Sequence, residues 1–85
     1  MKLFVIVISE IYKDQELQNK PVVRLTKEDA RGELKALYKK GCEEYPGWIA
    51  EKADDAFSIY ADGEHCESHF DAEIHEVEVD GIRAV

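Results

Sequence analysis

At 85 residues the chain is too short for a second domain, and a composition of 45% hydrophobic and 35% charged residues fits a soluble globular domain and excludes a disordered one. The net charge of −8 is unevenly laid out: residues 1–42 hold nine Lys/Arg against six Asp/Glu, and residues 43–85 hold two against thirteen. Such a balance argues against nucleic acid as a partner, because proteins that bind it present a net basic face.

The chain opens with "MKLFVIVIS". Its apolar run, Leu3 to Ile8, is too short for a signal peptide and lacks a small-residue cleavage site. Nothing reaches the ~20 apolar residues needed to span a membrane. Residues 2–12 are β-branched and aromatic, so they predict a strand. Two apolar sets alternate along it, Leu3/Val5/Val7 and Phe4/Ile6/Ile8. Residues 13–20, "KDQELQNK", read as a loop, and Pro21 to Leu25 as a short extended piece.

Thr26 is an expected helix N-cap, with Asp29 three residues on. Ala30, Leu34, Leu37, Tyr38 and Tyr45 then follow the spacing of one helical face. Gly32 is expected to point to solvent, and Pro46-Gly47 to stop the helix near Glu44 or Tyr45. Trp48 and Ile49 are expected to fold back on the core, with "AEKADD" (50–55) as a second loop.

Asp62-Gly63 predicts a two-residue hairpin turn. That turn would set Ile59 opposite Cys66 and Phe57 opposite Ser68. Cys66, Ser68, Phe70, Ala72 and Ile74 alternate with polar neighbours and predict an inward face. Val77 and Val79 fall out of phase, so a β-bulge near His75-Glu76 is expected to return them inward.

The same stretch contains His65-Cys66-x-x-His69, a spacing that invites zinc. On a strand, however, His65 and His69 stand roughly 13 Å apart and Cys66 points the other way. A solvated polar face is the better account, so no metal and no cofactor are expected. The acids of residues 62–80 form a row of like environments, unlike the divergent pair that acid–base catalysis needs. No GxSxG, P-loop or GxGxxG is present. Catalysis is not expected. Two cysteines, Cys42 and Cys66, are too few for a disulfide framework, and a reduced, cytoplasmic setting is expected.

Lys27, Arg31, Lys35 and Lys39 recur every fourth residue and form a basic stripe on the helix. As a functional feature the stripe would dock an acidic partner or phosphates; the favoured reading is that its stems cover the core edge and its charges balance the acidic strands, since the net charge opposes polyanion binding. The elements assemble into a single α+β domain over residues 1–85. Its expected architecture is a small antiparallel sheet of three to four strands with one α-helix packed on one face, in β-α-β-β order.

One helix covers one side of a sheet. The other apolar set of the first strand must then be sealed by residues 46–55 or by another molecule. Phe4, Ile6 and Ile8 are taken as the set offered to a partner, either a second copy in a homodimer or another protein.

"KLFVIVIS", "LTKEDARGEL", "FSIYADGEHCESH" and "IHEVEVD" together resemble a group of short uncharacterised proteins of gut-bacterial mobile elements and phages. The resemblance implies a small acidic accessory protein and transfers no catalytic residues. The expected function is a non-catalytic interaction or self-associating module. The alternatives are a metal-binding protein using His65, Cys66 and His69, or an acidic DNA-mimic inhibitor.

Overall fold

A computed structural model describes residues 1–13, 15–61 and 68–79. Its elements run β1 (Lys2–Tyr12), β2 (Gln15–Leu17), β3 (Val22–Arg24), α1 (Lys27–Glu44), β4 (Ile49–Lys52), β5 (Ala56–Tyr60) and β6 (His69–Glu78). All strand pairs are antiparallel, in the order β2-β1-β6-β5-β4, with β3 beside β2 on the same flank of β1.

The sheet therefore has six strands, which overturns the expected three or four and the β-α-β-β order. The two strands missed, β2 and β4, lie inside the segments read as loops. Every residue in both is exposed. They are edge strands held by backbone hydrogen bonds, so burial imposes no apolar alternation that a sequence could display.

α1 begins where the sequence places it. Thr26 Oγ1 accepts a hydrogen bond from the Asp29 N–H at 3.1 Å, and Glu28 and Asp29 favour the positive end of the helix dipole. Tyr45 caps the other end, and Gly47 takes φ +86° just beyond it, a conformation that glycine adopts without strain. The helix lies across the even-numbered residues of β1 and β6 and the odd-numbered ones of β5. Ala30 and Leu34 meet Phe4, Ile6, Phe57, Ile59, Phe70 and Ala72 in one buried core. Gly41 allows the closest approach, because a Cβ there would sit 2.6 Å from Phe70 Cδ2 and 2.7 Å from Ile59 Cδ1.

The β5–β6 register corrects the expected hairpin. Ile59 pairs with Phe70 and Phe57 with Ala72, and the Ala61 N–H donates to Ser68 O at 3.1 Å. The Asp62-Gly63 turn itself lies outside the described residues. The register differs from expectation by an even number of positions, so Phe70, Ala72 and Ile74 still point inward. No bulge forms at His75-Glu76, since β1 and β6 stay in one register from Ile11↔His69 to Lys2↔Glu78. Val77 consequently stays on the outer face, opposite Leu3.

Candidate functional site

The helix covers Phe4 (8% exposed) and Ile6 (0%), with Ile8 packed against the same core. These residues cannot meet a partner. The open face is the alternate set, and this reverses the expected assignment. Leu3, Val5 and Val7 line it on β1. Register places Val23 beside Val5 from β3, and Val77 beside Leu3 from β6. Val7, Val23 and Val77 are 44%, 48% and 40% exposed. Trp48 does not cover this strip: its ring stacks on Tyr45 at 4.2 Å, on the helix side, and packs with Tyr12 there. Ile49 belongs to the far edge strand, opposite Tyr60.

Past Val7 the open face turns polar. Ser9 Oγ lies 3.1 Å from His69 Nε2, Asp71 Oδ2 lies 3.7 Å from the same nitrogen, and Asp71 Oδ1 accepts from Ser58 Oγ at 2.6 Å. Serine, histidine and aspartate are thus neighbours. A nucleophile–base–orienter relay needs the hydroxyl and the carboxylate on different ring nitrogens, and here both approach Nε2. The row is a hydrogen-bonded surface network. Farther along, His75 Nε2 sits 2.9 Å from Glu73 Oε1, so the acidic row is interrupted by imidazoles that pair within it. Of the zinc candidates, His69 is engaged by Ser9, while His65 and Cys66 lie outside the described residues.

The basic stripe divides in two. Asp55, in the β4–β5 turn, accepts from Arg31 Nε at 2.8 Å and lies 3.6 Å from Lys27 Nζ. The Arg31 hydrogen bond holds the Asp55 carboxyl below the usual aspartate range, and the same contact raises Arg31. Lys35 and Lys39 have no carboxylate within 4 Å among the described residues. They rim a groove of about 550 Å³ with Lys52 of β4, over Gly32, Ala36, Tyr38 and Cys42. Lys52 Nζ lies 5.3 Å from the centre of the Tyr38 ring. Partial desolvation, then the neighbouring Cys42 thiol, push the Tyr38 hydroxyl above its ordinary pKa. Sequence spacing could not show Lys52, because it joins the stripe only through the folded sheet.

A buried carboxylate completes the polar inventory. Glu10 is 8% exposed on the helix side of β1 and accepts from Asn19 Nδ2 at 2.9 Å and from the Tyr45 hydroxyl. Burial, and then that hydrogen bond, keep the Tyr45 phenol protonated well above its usual range. A buried charge with two donors is a structural arrangement that ties β1, the 18–21 segment and the end of α1 together.

No helix among the described residues is long and apolar enough to cross a membrane. Comparison with protein-family models, curated proteins and solved structures finds no match to this chain.

Proposed function

We propose that this protein is a non-catalytic association module that pairs with a second copy of itself through the open face of its sheet. The observation that carries the reading is the apolar strip of Leu3, Val5, Val7, Val23 and Val77 opposite the helix, bordered on β6 by His75 and Glu73. Apolar surface gathered in this way on a small protein is characteristic of a contact site. It is read as a cytoplasmic protein, in keeping with a chain that has only two cysteines.

Self-pairing is favoured over a foreign partner by the layout of charge. The strip occupies the Leu3–Val7 end of β1, while Glu73 and Asp71 flank Val7 and Ser9 at the other end. A two-fold axis near Val5 lays the β1 apolar set of one copy on that of the other and sends the Ser9–Asp71 ends in opposite directions. Half-covered valines and leucines gain on the order of 1 kcal/mol each when sealed. Ten of them across two copies roughly offset the ~4–15 kcal/mol lost in association, so the expected dimer is weak and forms only at high protein concentration.

Light scattering over a concentration series tests this. The native chain is expected to shift from monomer to dimer, and Val7→Lys to stay monomeric with unchanged circular dichroism. A native chain that remains monomeric up to millimolar concentration rules the reading out.

A further inference from the structure

We infer that the groove between α1 and β4 binds a small amphipathic anion, one with an apolar body and a single carboxylate or sulfonate head. Three features of the groove converge on that ligand. Its floor is mainly apolar: Ala36, the Tyr38 ring and the Cys42 side chain, with open space over Gly32, where a Cβ would meet nothing within 4 Å. Its rim is cationic, built from Lys35 and Lys39 on the helix and Lys52 on the strand. Its volume of about 550 Å³ falls in the range of small-molecule sites.

The charges make the rim more than a solvated edge. Lysines four apart on a helix repel by a few tenths of a kcal/mol per pair. Asp55 relieves that repulsion at Lys27 and Arg31, whereas no described carboxylate lies within 4 Å of Lys35, Lys39 or Lys52, with Glu43 one turn beyond Lys39. On a chain of net charge −8 this is a local cluster of positive charge beside apolar surface. An anionic head between the lysine ammonium groups satisfies the rim, and an aliphatic or aromatic body fills the space that Gly32 leaves free. Glycine inside a helix is about 1 kcal/mol worse than alanine. Packing does not require it at position 32, whereas an unobstructed groove does.

The site is tested by fluorescence titration of the full chain with 8-anilinonaphthalene-1-sulfonate, with decanoate as competitor. Saturable binding is expected, displaced by decanoate and not by decanol. Lys35→Glu with Lys39→Glu is expected to weaken it at least tenfold. Gly32→Leu, which fills the groove and leaves the rim charges in place, is expected to do the same. Decanoate should also shield Cys42 from N-ethylmaleimide, read by peptide mass mapping. Val7→Lys, on the opposite side of the sheet, should leave the titration unchanged. The inference is overturned if both groove variants bind as the native chain does, or if Val7→Lys abolishes binding. It is also overturned if hexaglutamate competes better than decanoate, which would make the stripe a dock for acidic peptides.

Discussion

At Gly41 a methyl group would enter space already held by Phe70 and Ile59, both sealed in the core. Neither ring nor methyl can retreat without disturbing the packing, and overpacking of this kind costs about 1–3 kcal/mol. Helix propensity returns up to ~1 kcal/mol of that. Gly41→Ala is therefore expected to lower stability by about 1–2 kcal/mol. Gly32→Ala on the same helix meets open space and is expected to raise it by about 0.5–1 kcal/mol. Urea denaturation of the two variants reads both signs.

Tyr45→Phe removes a donor from the buried Glu10 carboxylate and leaves it to Asn19 alone, an expected loss of about 1–3 kcal/mol at neutral pH. Because the folded state raises the Tyr45 pKa, its contribution is complete below the unfolded value of ~10 and fades as pH climbs beyond it. The gap between native and Tyr45→Phe stability should narrow above pH ~10, a comparison in which Tyr38 titrates alike in both proteins.

Between elements, Asp55 is the principal clasp. Its side chain holds Arg31 and Lys27 of α1, and its carbonyl accepts from the Ile74 N–H of β6 at 2.8 Å. Its folded pKa is depressed, so the stabilisation is present above the unfolded value of ~3.9 and lost as pH falls through the lower folded one. Thermal melts of Asp55→Asn should show a shallower decline between pH 5 and 3 than the native chain, and a melting temperature at pH 7 lowered by no more than a few degrees, since the pair is nearly half exposed.

The elements legible in the sequence were those whose side chains pay an alternating or helical tribute to the core. β1, α1 with its Thr26 cap, and the Phe70/Ala72/Ile74 face belong to that group. β2 and β4 left no such trace. Nor could periodicity decide which of two equally apolar faces of β1 would meet the helix, since Phe4/Ile6/Ile8 and Leu3/Val5/Val7 match in spacing and character. The helix chose the face carrying the larger Phe4 and Ile6, together with Phe70 and Ile59 from the neighbouring strands. The basic stripe was visible as four equivalent cations. Its division into a paired half and a groove-lining half depends on Asp55 and Lys52, which only tertiary structure brings near.

Across the whole molecule, one layer of helix on one layer of sheet leaves half of the sheet's surface as an outer wall. The wall's apolar end sits over the longest pairing in the fold, ten residue pairs between β1 and β6. The centre of the sheet is thus joined from segments far apart in sequence, with Ile11 meeting His69 and Lys2 meeting Glu78. On the ribosome, β1 emerges ahead of β2 through β5 and waits for β6 before its main neighbour exists. Throughout that interval its hydrophobic residues are available to chaperones or to other nascent copies. Arrest peptides placed at successive lengths should register folding force only after β6 has left the exit tunnel, whatever the state of the helix.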